Sequence, residues 1–114
     1  MTHRYATLSG YRIMWVWAIF DLPVLTKAER KATTVFRNTL LDLGFEMVQF
    51  SVYARYCKSK EKADALAARV GRLVPPDGKV DLLFFTDKQY ELIRSFRGEA
   101  ARQKPETPGQ FAMF

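Results

Sequence analysis

Seven consecutive apolar or aromatic residues, Met14-Trp15-Val16-Trp17-Ala18-Ile19-Phe20, run straight into Asp21, Leu22 and Pro23. A run of this length, rich in β-branched and aromatic types and closed by a proline that cannot donate to a ladder, predicts a buried strand ending at Asp21. Side chains alternate across a strand, so Met14, Val16, Ala18 and Phe20 share one face while Trp15, Trp17, Ile19 and Asp21 share the other. Both faces are therefore apolar until the carboxylate at the rim.

The periodicity then changes. Thr26-Lys27-Ala28-Glu29 has the spacing of a capping box, which predicts a helix from 27 to about 43. Ala28, Ala32, Val35, Phe36, Leu40 and Leu43 form its apolar stripe, and Lys27, Arg30, Lys31, Thr34, Arg37 and Asn38 its outer side. Gly44 stops that helix. The β-forming stretch Phe45 to Cys57 predicts two short antiparallel strands bent near Gln49 to Ser51, with one long bulged strand as the alternative. Ser59 caps a second helix to about Leu73, with Ala63, Leu66, Ala67, Val70 and Leu73 facing inward, and Pro75-Pro76-Asp77-Gly78 breaks it. Lys79 to Thr86 supplies another strand, and a turn at Asp87 to Tyr90 leads to a last short strand at Leu92 to Arg97. The order β-α-β-β-α-β plus an extra C-terminal strand places the chain in the α+β class. Its plan is ferredoxin-like, one antiparallel sheet with two helices on one face. The expected division is an N-terminal arm over residues 1–13, a ferredoxin-like domain over 14–97 and a C-terminal tail over 98–114.

Helices on one side leave the other sheet face bare. At roughly 25 cal/mol per Å² of apolar area, exposing two tryptophans there forgoes several kcal/mol, so an identical second subunit is expected to cover them. In such a homodimer Asp21 lies on the interface side and approaches its own copy. Two carboxylates so placed repel, and a raised pKa or a hard divalent cation such as magnesium, shared across the dimer, relieves the repulsion. The alternatives are that the two acids stay apart and hydrated, or that Asp21 only begins the turn before Pro23.

Composition narrows the chemistry. The 114 residues, 48% hydrophobic and 14% aromatic, suit one domain with a real core. Eighteen Lys plus Arg against 12 Asp plus Glu give a net charge of +6, which favours a polyanionic partner. Lys27, Arg30, Lys31, Arg37, Arg55 and Lys58 are the candidates to neutralise phosphates without reading sequence, the alternative for those on the helix being an ordinary solvated face. Cys57 is the single cysteine, which excludes an internal disulfide and fits a reducing, cytoplasmic setting. With one Cys and one His, a zinc site lacks ligands, and His3 lies in the arm, away from any strand end that could use a general base. The apolar run is too short to span a bilayer and no cleavage pattern follows it, so a soluble protein with no membrane partner is expected. The chain ends on Gln110-Phe111-Ala112-Met113-Phe114, a segment suited to adding a strand in a partner's groove, the alternative being a frayed terminus.

Four pieces in this order resemble a known family: the strand ending Phe20-Asp21-Leu22-Pro23, the helix Thr26-Lys27-Ala28-Glu29-Arg30-Lys31, the segment Gln49-Phe50-Ser51-Val52-Tyr53, and Thr86-Asp87-Lys88-Gln89. Together they are similar to CRISPR-associated protein 2, particularly its type II members, over about residues 12 to 114. The resemblance implies a homodimer that bridges two dimers of the integrase subunit, CRISPR-associated protein 1, during spacer acquisition in antiviral defense, holding a short nucleic-acid duplex. It further implies that Gln110, Phe111, Met113 and Phe114 dock on the dimer mate or the integrase. Several family members are described as magnesium-dependent endonucleases on RNA or double-stranded DNA, and others serve as scaffolds without hydrolysis. The acid matching Asp21 is the family's catalytic and metal-binding residue, and Ser51 and Arg55 match further positions of its site region. A toxin-like ribonuclease or a small regulatory domain sharing only the fold is the alternative.

Overall fold

The structure, a computed structural model, describes residues 13–99, with side chains from Trp15 onward. Its elements run β1 (Ile13–Asp21), α1 (Lys27–Asp42), β2 (Glu46–Gln49), β3 (Val52–Tyr56), α2 (Lys60–Gly71), β4 (Lys79–Thr86) and α3 (Asp87–Glu91). The four strands pair antiparallel throughout in the order β2-β3-β1-β4. This is the ferredoxin-like arrangement expected, with the doubly apolar β1 in the interior of the sheet, where both of its edges are hydrogen-bonded. Both long helices pack on one sheet face. Phe36 and Leu40 of α1 and Ala63, Leu66 and Val70 of α2 close over Val16, Ala18, Phe20 and Tyr53.

Local chemistry starts each helix. The Glu29 amide donates to Thr26 Oγ1 at 3.1 Å while the Thr26 amide donates to Glu29 Oε1 at 2.8 Å, completing the predicted capping box. Ser59 Oγ accepts from the Lys62 amide at 3.2 Å and opens α2. The predicted apolar stripes are wider than the buried ones. Along α1 the ridge in contact with the sheet runs through Phe36 and Leu40, whereas Val35, about 100° around the helix from Phe36, is 55% exposed, and Ala28 is exposed as well. Leu73 follows the last turn of α2 and faces outward.

The bend in the 45–57 segment is a two-residue hairpin tip at Phe50 and Ser51. Ser51 sits at φ 63°, in the left-handed region that few non-glycine residues visit. A register shift between Met47 and Gln49 marks a bulge at Val48, which turns that side chain into a small cluster with Ala54, Trp15, Trp17 and Val52 on the face away from the long helices.

One expected element is absent among the described residues. The extra C-terminal strand at Leu92 to Arg97 does not form, and 93–98 carries no regular structure. The reason lies at Thr86, whose Oγ1 accepts from the Gln89 amide at 3.1 Å while Gln89 Oε1 accepts from the Thr86 amide at 3.0 Å. This second capping box converts the expected turn into α3 and carries the chain over the open sheet face, so no strand among the described residues pairs with the outer edge of β4. No helix among the described residues is long and apolar enough to cross a membrane.

The corrected α1 face makes a direct prediction. Truncating the fully buried Leu40 to Ala should cost about 2–5 kcal/mol in urea unfolding, whereas Val35→Ala should stay within about 0.5 kcal/mol of the parent.

Candidate metal centre and nucleic-acid interface

Residues directly opposite in an antiparallel pair share a face, so the register decides what the open side of the sheet presents. Trp15, Trp17, Ile19 and Asp21 of β1 lie opposite Phe85, Leu83, Asp81 and Lys79 of β4. Aromatic groups occupy one end of this face and charges the other. At the aromatic end α3 acts as a lid: Tyr90 stacks on Trp15 with ring centroids 3.9 Å apart and planes 5° from parallel. Trp15 Nε1 donates to Asp87 Oδ1 at 3.2 Å, and Trp17 meets Phe85 edge-on at 5.7 Å. Burial, and secondarily the negative charge of Glu46, push the Tyr90 phenol above its ordinary value, so it stays neutral beneath the indoles. Both tryptophans are half-buried within one chain, which corrects the expectation that a lone protomer leaves them bare. Trp17 Nε1 is buried without an acceptor, and Ile19, beyond the reach of α3, is 40% exposed.

Asp21 ends β1 at the other extreme and is exposed. The Phe20 amide donates to the Ser51 carbonyl at 3.0 Å, drawing the hairpin tip alongside. Lys79 lies directly across from Asp21, but its Nζ sits 3.7 Å from Asp81 Oδ2. Among the described residues no hydrogen bond or ion pair engages the Asp21 carboxylate, so its hard oxygens are open to a cation. The described residues contain no group of three His, Cys, Asp or Glu side chains that could hold a metal ion. A cation at Asp21 would draw the rest of its shell from water or from ligands outside this set, a requirement that magnesium, a metal that retains waters, can meet.

The loop leaving Asp21 is tied to α1. Thr33 Oγ1 donates to the Pro23 carbonyl at 3.4 Å, and Arg30 Nη1 donates to the carbonyls of Val24 and Leu25 at 3.2 and 3.0 Å. Leu22 is buried, and a Cβ on Gly78 would collide with its Cδ2.

The basic candidates fall into two groups. Lys27, Arg30 and Lys31 stand at the start of α1, all three exposed. Arg37, Arg55 and Lys58 gather around β3 and its exit, where Arg37 Nε donates to Tyr53 Oη at 3.4 Å and the half-buried Arg55 guanidinium lies over Gly44. Arg55 pairs across the sheet with the core residue Val16, so it occupies the face opposite Asp21, and the fold does not bring these two together. Cys57 is buried, and that burial raises its thiol pKa against the opposing pull of Arg55, the reverse of what an activated nucleophile needs. The docking candidates Gln110, Phe111, Met113 and Phe114 lie outside the described residues. Asp87 and Tyr90, expected from the sequence only as parts of a turn, are the residues that fasten the lid. The Thr-x-x-Gln spacing at 86–89 was the signal for the helix that carries them, and nothing in the sequence showed that it would fold onto Trp15.

The family model for CRISPR associated protein Cas2 matches residues 14–93, from the second residue of β1 to just past α3. The chain belongs to this family. A CRISPR-associated endoribonuclease Cas2 from Paracidovorax avenae is 53% identical over 107 residues, covering 94% of this chain and 99% of that one. The protein of the same name from Flavobacterium psychrophilum is 38% identical over 111 residues, covering 97% and 96%. The crystal structure of Streptococcus pyogenes Cas2 at pH 6.5 superposes with a TM-score of 0.54 over 74% of this chain and all of that one, at 16% identity, and so supports the shared fold.

Two measurements check this geometry. Tyr90→Ala removes the stacked ring and should lower stability by at least about 0.5–1.5 kcal/mol, the ring pairing alone, while raising iodide quenching of tryptophan fluorescence. Alkylation of Cys57 by iodoacetamide at pH 8.5, read by mass spectrometry, should be slower in the native protein than in the denatured chain, because the raised pKa leaves less thiolate at that pH.

Proposed function

We propose that this chain is the small subunit of a CRISPR spacer-acquisition complex, working as a homodimer that bridges dimers of CRISPR-associated protein 1 and holds a short double-stranded DNA. Its enzymatic capacity in this reading is metal-dependent hydrolysis of phosphodiesters, in RNA or duplex DNA, at a site made by two copies of Asp21. The observation that carries it is the placement of an unengaged, exposed Asp21 on the rim of a sheet face that is apolar and only half covered by its own α3. The names of the relatives, endoribonucleases of the same family, support the hydrolytic part.

Face-to-face packing of two such sheets would bury Ile19 and the remaining indole surface. It would also turn Asp21 toward its symmetry mate, since Asp21 shares the parity of Trp15, Trp17 and Ile19. The two carboxylates are then the groups that hold and orient the cation. Magnesium bound there would polarise the phosphodiester and lower the pKa of its attacking water, so no histidine base is required. The exposed Lys27 and Lys31 on α1, with Arg37, Arg55 and Lys58 around β3, neutralise phosphates along the duplex; such contacts bind any sequence and weaken steeply with salt. The segment Gln110 to Phe114 supplies the docking strand for the dimer mate or the integrase. Scaffold and nuclease roles need different residues, which makes them separable.

The test pairs two variants. Asp21→Asn should reduce magnesium-dependent cleavage of RNA or duplex DNA by about 100-fold or more, a loss at least as large as those seen when outer-shell partners of a metal site are removed. It should leave duplex binding and sedimentation unchanged. Ile19→Glu should convert the dimer to monomer in sedimentation. Equal cleavage by parent and Asp21→Asn would remove the catalytic assignment, and a monomeric parent at high concentration would remove the shared site.

A further inference from the structure

The geometry points to Arg30 as a positioning residue that holds the strand-end Asp21 in place through the loop behind it, and not as a phosphate contact. The inference rests on the reading of Asp21 as a metal ligand and adds the device that keeps that ligand fixed.

Asp21 is held on only one side by the sheet. Across from it lies Lys79 of β4, but on the β3 side the ladder ends one residue earlier, with the Phe20 amide on the Ser51 carbonyl. The loop residues after Asp21 must therefore supply the rest of its rigidity. Burial does so fully at Leu22 and partly at Pro23, but not beyond, because Val24 is 52% exposed and Leu25 88% exposed. The segment is instead fastened through its carbonyls. Three consecutive ones, on Pro23, Val24 and Leu25, accept from side chains of α1, the first from the Thr33 hydroxyl and the other two from Arg30 Nη1. The Arg30 amide donates to the Thr26 carbonyl at 3.0 Å, which seats the clamp on the first turn of the capped helix. Both bonds come from the one nitrogen Nη1, whose two planar N–H donors point in fixed directions, so a single side chain holds two adjacent carbonyls that a freely rotating lysine ammonium would hold less firmly. Metal ligands must be kept within about 0.5 Å of the working geometry by their surroundings, and a clamp on the next carbonyls along the chain meets that need. Nη1 of the Arg30 guanidinium is thereby committed to the loop, although the residue is exposed, whereas Lys27 and Lys31 on the same turn are exposed with no such bond.

The experiment compares the full-length parent with Arg30→Ala and Arg30→Lys; Arg30 is exposed and outside the core, so both variants are expected to fold. Backbone 15N relaxation should show the Val24 and Leu25 order parameters falling from about 0.85 to below about 0.6 in Arg30→Ala, with partial recovery in Arg30→Lys. The slope of log affinity against log salt for a fixed DNA duplex should not change, whereas loss of a phosphate contact would reduce it by about 0.9. Manganese titration monitored by electron paramagnetic resonance, with Asp21→Asn as reference, should show affinity reduced about 10-fold or more in Arg30→Ala. A loop that stays rigid in Arg30→Ala, a slope reduced by one contact, or manganese affinity unchanged where Asp21→Asn abolishes it would each overturn the inference. If the parent and Asp21→Asn bind manganese equally, the metal reading of Asp21 fails, and the relaxation and salt data still decide whether Arg30 clamps the loop or contacts phosphate.

Discussion

An interior strand with no polar face has to be covered twice, and β1 imposes that requirement on everything around it. Val16, Ala18 and Phe20 are covered by α1 and α2, which together form the main core. The opposite face carries Trp15, Trp17 and Ile19, and here the described residues supply only a short helix. Removing a half-exposed aromatic pair from water is worth several kcal/mol at roughly 25 cal/mol per Å², enough to draw α3 down onto Trp15 although that helix is only five residues long. The stack with Tyr90 and the bond to Asp87 are how this cover is fastened.

The lid has a limited reach, and its limit divides the face. Near Trp15 the protomer is self-sufficient. Toward Ile19 and Asp21 it is not, and the polar groups there are arranged in two ways that matter for chemistry. Lys79 is drawn to Asp81, which leaves the Asp21 carboxylate without a cation partner among the described residues. The loop beyond Asp21 is fastened by hydrogen bonds from α1, so an exposed acid sits on a stiff support. An open carboxylate on a fixed backbone beside an uncovered apolar patch is the arrangement a second copy of the chain would complete.

Charge elsewhere obeys a different logic. The cations of α1 and those around β3 lie away from the face that carries Asp21, so binding a polyanion and acting on a phosphodiester would draw on separate parts of the protein. Family membership is consistent with both uses, and the positions of Arg55 and Asp21 on opposite sides of the sheet give the separation a structural basis.

The element order, both long helices with their caps, the hairpin bend and the rim position of Asp21 were legible in the sequence, because each rests on interactions within a few residues: Thr26 with Glu29, Ser59 with Lys62, alternation along 14–21. The β-formers at 92–97 suggested a strand by the same local reasoning, and the capping box at Thr86 and Gln89 overrode them. Other features needed contacts between residues far apart in the chain. Whether Val35 or Phe36 faces the sheet depends on how α1 is rotated against it; whether Trp15 is bare depends on where α3 lands; whether Arg30 finds the Val24 and Leu25 carbonyls depends on how the loop folds back. Periodicity identifies the residues that leave water and the bonds neighbours can make, but only tertiary packing decides which surface receives them, since that choice is made by groups with no proximity in sequence.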